Sequence, residues 1–159
     1  MSAAPTRPSW LLVIRRYLLA AGLGNLAWEF LQMPLYTLWQ TGTRREIISA
    51  GLHCSAGDLG MVAGALALAL GLVGAPAWPA ARLAPVLLIT TGLGAAYLVY
   101  SEHLNAVVRH AWACTPAMPV LPGIGVGLAP LAQWLIVPPL VLLWAARPRA
   151  IGKHVIGAQ

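Results

Sequence analysis

The residues of this chain that could move a proton are few, and they are spaced like helix faces. Only four acidic side chains occur in 159 residues, and three of them, Glu29, Asp58 and Glu102, lie in or at the edge of long apolar runs. A carboxyl in such surroundings is costly unless it is paired or used, and its natural use is general acid or base catalysis. Each acid has polar company at helical spacing. Asn25, Glu29, Gln32 and Tyr36 follow i, i+4, i+7, i+11 and make one narrow stripe. Glu102, Asn105, Arg109 and Trp112 follow i, i+3, i+7, i+10 and make another, with His103 and His110 on a neighbouring face. Cys54 and Asp58 are i, i+4 neighbours beside His53 and Ser55, and Gln133 is the lone strongly polar residue of the last apolar run. This pattern makes Glu29, Asp58 and Glu102 the expected catalytic acids or bases. Asn25, Gln32, Asn105, Arg109, Trp112 and Gln133 are expected to bind and orient a polar head group. Arg109 should pair with an acid from another helix, Asp58 first, because a lone charge there is costly.

His53, Cys54, His103, His110 and Cys114 offer nitrogen and sulfur donors of the kind that suit zinc, copper or haem iron. No CxxC, CxxCH or HExxH spacing occurs, so no metal site and no cofactor is expected. Cys54 and Cys114 are the only cysteines, and a disulfide between them requires the segment around Cys114 to fold back over the site. Trp28, Trp112 and Trp134 are candidates to line a pocket.

The elements that must position these groups follow from composition. Hydrophobic residues make up 59% of the chain and charged residues 9%, with a mean hydropathy of +0.75. Soluble domains carry about a quarter charged residues, so the chain reads as an integral membrane protein. Four segments are long and apolar enough to cross a hydrocarbon core of about 30 Å: roughly 17–38, 49–73, 84–106 and 124–146. The expected fold is all-α, a single four-helix transmembrane bundle, and an alternative reading sets Trp10 to Arg16 apart as an interfacial helix. Gln40 to Glu46 reads as the first outer loop and the Pro-rich 113–123 as the second, stiff one. Trp78 reads as an interfacial anchor, and Pro130, Pro138 and Pro139 as kinks in the last helix. On the second helix, Ala56, Gly60 and Gly64 have the small-xxx-small spacing that permits close helix contact.

The net charge of +6 does not form the stripe or tail that tracks nucleic acid. It sorts by side instead. Arg7, Arg15, Arg16, Arg82, Arg147, Arg149 and Lys153 fall on one side of the four spans, and Arg44, Arg45 and Arg109 on the other. The positive-inside rule then places both termini in the cytoplasm, consistent with a multi-pass protein of a bacterial inner membrane. The arginine pair before the first apolar run is not read as a twin-arginine signal, since that run contains Glu29 and three more follow.

Because successive helices alternate in direction, the three acids and their amides converge in the outer half of the bundle, while the inner half looks almost free of polar groups. Three functions compete. One is an enzyme or binding protein for a lipid-like or isoprenoid molecule; the second is a small proton- or ion-coupled transporter using Glu29 and Glu102 as a relay. The third is a subunit of a larger membrane complex, or a homo-oligomer, docking through the small-residue face of the second helix.

Overall fold

The computed structural model describes residues 8–73 and 78–148; Arg7, Arg149 and Lys153, which enter the charge argument, lie outside the described residues. The elements are helix α1 (Trp10–Gln32), a 3-10 turn (Met33–Leu35), a short α2 (Leu38–Thr41), α3 (Arg44–Val73), α4 (Leu83–Glu102) continued by a π-helical segment (His103–Val108), and α5 (Leu128–Ala145). The described chain is helical, with no strand. Three of its helices are long and apolar enough to cross a membrane: Arg44–Val73, Leu83–Val108 and Leu128–Ala145. At 23 residues α1 has the length as well, but it carries Arg15, Arg16 and Glu29.

The ends of the helices differ from the sequence expectation for local reasons. Ser9 caps α1 by accepting from the Leu12 amide at 3.4 Å, so the helix begins at Trp10 and includes the stretch that could have stood apart. It ends at Gln32 because Pro34 forces a 3-10 turn. Helix α3 begins at Arg44, inside the expected loop, because Thr43 and Glu46 form a capping box. The Thr43 amide donates to Glu46 Oε2 at 2.8 Å, and the Glu46 amide donates to Thr43 Oγ1 at 3.3 Å. Pro130 occupies the first turn of α5, where a missing amide costs little, so only Pro138 and Pro139 are interior prolines.

The four long helices close a ring. Helix α1 packs on α3 and α5, and α4 packs on the same two from the opposite side. The core runs along the axis through Val13, Tyr17, Val62, Leu66, Val86, Trp134 and Leu142, and Trp78, expected at an interface, is buried in the same cluster. Close approach of α4 to α5 depends on Gly94, since a Cβ there would run into the Trp134 ring. The expected small-residue contact is not used this way. Gly60 and Gly64 of α3 face outward with open space where a side chain would be. At the end of the bundle where α1 begins and α5 ends, Arg16 donates to the Ala145 carbonyl at 3.4 Å and Arg82 to the Val73 carbonyl at 2.7 Å. Each satisfies a free carbonyl at the negative end of a helix dipole.

Candidate functional site

At the end of the bundle away from the start of α1, the buried face of that helix presents Asn25, Glu29 and Gln32 in one line. Helix α3 brings Asp58, α4 brings Glu102 and α5 brings Gln133, all buried. Two amides join two acids. Gln32 Nε2 donates to Glu29 Oε1 at 2.9 Å and reaches Gln133 Oε1 at 3.4 Å, and Gln133 Nε2 donates to Asp58 Oδ2 at 2.7 Å. The run Glu29, Gln32, Gln133, Asp58 therefore ties α1, α5 and α3 together. Each hydrogen bond replaces some of the hydration that burial removes from a carboxyl.

These groups border a cavity of about 370 Å³. Its lining includes Glu29, Gln32, Asp58, Glu102, Asn105 and Trp112 among the expected site residues. Gln133 stands behind the wall as the bridge just described. Glu102 Oε2 and the Trp112 indole nitrogen face each other, both buried and without a partner at hydrogen-bond distance, and Gln32 Oε1 is likewise buried and unpartnered. Asn105 donates to the Ser101 carbonyl at 2.9 Å, within its own helix, which leaves its amide oxygen toward other partners.

Two expected members are elsewhere. Asn25 is fully buried with both amide atoms unpartnered, but one turn away from Glu29 toward the start of α1 and outside the lining. Arg109 is exposed, and its side chain makes no ion pair with Asp58; Gln133 takes that place. The cause is the π-helical stretch His103–Val108, in which the Arg109 amide bonds back five residues to Leu104 at 2.9 Å. A wider helical turn breaks the 100° register on which the stripe was drawn. Trp112 reaches the cavity because the chain has already left the helix, not because it continues one.

The segment around Cys114 does fold back over the site. Cys114 pairs with Tyr36 in an antiparallel bridge, the Thr37 amide donates to the Ala113 carbonyl at 2.9 Å, and the Thr115 amide donates to the Leu35 carbonyl at 2.9 Å. The disulfide that this fold-back could have allowed is nonetheless not formed: Cys54 and Cys114 are both free, since Cys114 is held by the backbone pairing at Tyr36 while Cys54 stays on α3. Burial, and then the Glu102 carboxylate, push the Cys114 thiol above its ordinary range. Among the described residues no group of three His, Cys, Asp or Glu side chains is arranged to hold a metal ion. His103 Nδ1 instead bonds the Ile124 carbonyl at 2.9 Å. Trp28 donates to the Ala129 carbonyl at 3.1 Å rather than lining the pocket, and Trp134 packs in the core.

Sequence reasoning did not assign Tyr36, Ser101 or Tyr97 to the site, yet all three line the cavity. Tyr36 carried a signal, its place on the Glu29 stripe. Ser101 and Tyr97 lie one and five residues before Glu102 in an apolar run, and nothing in their spacing marks them. The interior toward the start of α1 is also less apolar than expected, with the Tyr17 and Thr90 hydroxyls buried there without partners. Comparison with protein-family models, with characterised proteins and with solved structures returns no match.

Proposed function

We propose that α1, α3, α4 and α5 all cross a bacterial inner membrane with both termini cytoplasmic, and that the cavity binds a lipid-like or isoprenoid molecule and transfers protons to and from it. The observation that carries this reading is the buried run of carboxyl, amide, amide and carboxyl at the cavity wall. Two carboxyls joined through amides in apolar surroundings are suited to share a proton, and the proposed chemistry uses Glu29 and Asp58 in that way. One then acts as acid while the other acts as base. Glu102, on the opposite helix, faces the same space and completes a site that can protonate a substrate at one atom and deprotonate it at another. The fixed amides keep the pair oriented while the proton moves.

The neutral near-isosteres Glu29→Gln, Asp58→Asn and Glu102→Gln test this. Each keeps shape and hydrogen bonding but loses the transferable proton. In a cell that depends on the protein, each is expected to abolish function while the protein remains inserted and folded, and Arg15→Gln on the exposed face of α1 is expected to be silent.

A second reading has its own observation. Gly60 and Gly64 form an outward, uncovered small-residue track on α3, which suits contact with another transmembrane helix in a larger complex. Loss of function at Gly60→Leu and Gly64→Leu, with all three acid replacements silent, would favour that reading over the first.

A further inference from the structure

The cavity reaches the protein surface on its α3–α4 side. Its outer roof is made by Tyr36 and Trp112, and the backbone pairing of residues 35–37 with 113–115 fastens that roof. The lining residues that remain exposed are His53 and Gly57 on α3 and Tyr97 on α4. A Cβ at Gly57 would meet nothing within 4 Å, so the wall is lowest there. Gly57 lies about 20 Å along α3 from Arg44 and about 24 Å from Val73, near the middle of the helix. The surface beside the gap is apolar or small, with Leu93 and Tyr100 exposed on the Tyr97 face of α4 and Gly60 and Gly64 exposed on the Gly57 face of α3. If α3 and α4 span a membrane, this mouth opens into hydrocarbon.

The head chemistry can be read from what the site has left over. Gln32 Oε1 is an acceptor without a partner at the cavity, while Glu102 Oε2 and the Trp112 indole, neither within hydrogen-bond distance of a partner, face each other as acceptor and donor. Three carboxyls line the space and no Lys or Arg does so among the described residues, His53 at the rim being the one basic side chain. An anionic head would meet carboxylates with no cation to offset them. A hydroxyl or an ammonium group supplies the donor that the free acceptor lacks. The volume sets the division between head and tail. At about 30 Å³ per water-sized group, a cavity of about 370 Å³ encloses on the order of a dozen heavy atoms, so a longer chain must leave through the mouth.

Resting on the reading of this cavity as a lipid-like substrate site, we infer that its ligand is a slender amphiphile with an uncharged hydroxyl or a cationic amine head. It reaches the carboxyls sideways from the membrane, between Gly57 and Tyr97, with its tail left in that gap.

The test uses the full chain in lipid nanodiscs, with dodecanol, dodecylamine and dodecyl phosphate as probes and occupancy read by native mass spectrometry over time. The alcohol and the amine are expected to bind saturably and at least about tenfold more tightly than the phosphate, a difference of about 1.4 kcal/mol. Gly57→Trp, which fills the mouth, is expected to slow loading at least about tenfold, whereas Tyr97→Ala, which widens it, is expected to speed loading. Equal or tighter binding of the phosphate overturns the head assignment. Unchanged loading in both mouth variants overturns the lateral route. Failure of all three probes to bind, while Glu29→Gln and Asp58→Asn still abolish cellular function, overturns this inference and leaves the acid/base reading standing. Silent acid variants overturn the reading beneath it.

Discussion

Replacing Gln133 by leucine removes one side chain that serves two carboxyl-bearing helices. Its Nε2 donates to Asp58 Oδ2 at 2.7 Å, and its Oε1 accepts from Gln32 at 3.4 Å. The first bond is short and goes to a carboxyl, a class worth about 1.5–3 kcal/mol; the second is long and neutral, near the average of about 0.6 kcal/mol for polar contacts between transmembrane helices. Gln133→Leu is therefore expected to destabilise the protein by about 2–4 kcal/mol, chiefly by leaving Asp58 buried without an amide. Asp58→Leu strands the Gln133 amide instead, at about 1–3 kcal/mol. The double variant removes both partners, and an apolar pair of similar size is expected to cost less than the sum of the single changes by about 1.5–3 kcal/mol. The assay is unfolding by SDS titration in mixed micelles, followed by the fluorescence of the seven tryptophans. Additive effects, within about 0.5 kcal/mol, would refute the claim that Gln133 and Asp58 are coupled.

Gly94→Ala is expected to destabilise by about 1–3 kcal/mol and to shift Trp134 emission, because its methyl would run into that ring, whereas Gly60→Ala, with open space around it inside α3, should raise stability by up to about 1 kcal/mol. The same unfolding titration checks both. The Cys114 thiol is held above its ordinary range by burial and by Glu102, so its thiolate is scarce at neutral pH. Maleimide labelling of Cys114 in a Cys54→Ala background should therefore be slow at pH 7, rise as the pH is raised, and be faster in Glu102→Gln; a rate independent of pH from 7 to 9 would contradict this. Reporter fusions after residues 42 and 117 should report the outside and a fusion after Arg82 the cytoplasm, and a cytoplasmic signal from residue 117 would overturn the four-span arrangement.

How much of the site was legible depends on how regular the helix carrying each residue is. Glu29 and Gln32 share a face of α1 because that helix runs without interruption to Gln32, so counting at 100° per residue puts them on one wall. Asp58 and Glu102 were found as buried acids in apolar helices, a property that needs no register at all. Arg109 was misplaced because the π-helical segment before it changes the angle per residue, and neither composition nor spacing announces that change. The start of α3 was legible but not read. Thr43 and Glu46 stand three apart ahead of an apolar run, and that capping box outweighs the charge of Arg44 and Arg45 in deciding where the helix begins. Which helix faces would be buried could not be derived from small residues alone. Gly94 and Gly60 look alike in sequence, yet one receives a tryptophan and the other faces outward.

Proton movement by the cavity carboxyls on a membrane-dissolved molecule leaves a trace in the lipids of the membrane itself. The direct measurement is a mass-spectrometric comparison of total lipid extracts from membranes that hold equal, folded amounts of the wild-type protein, Glu29→Gln or Asp58→Asn. One amphiphile with a hydroxyl or amine head is expected to accumulate in both variants while its isomer or hydrated counterpart disappears. Identical lipid profiles in all three membranes would contradict it.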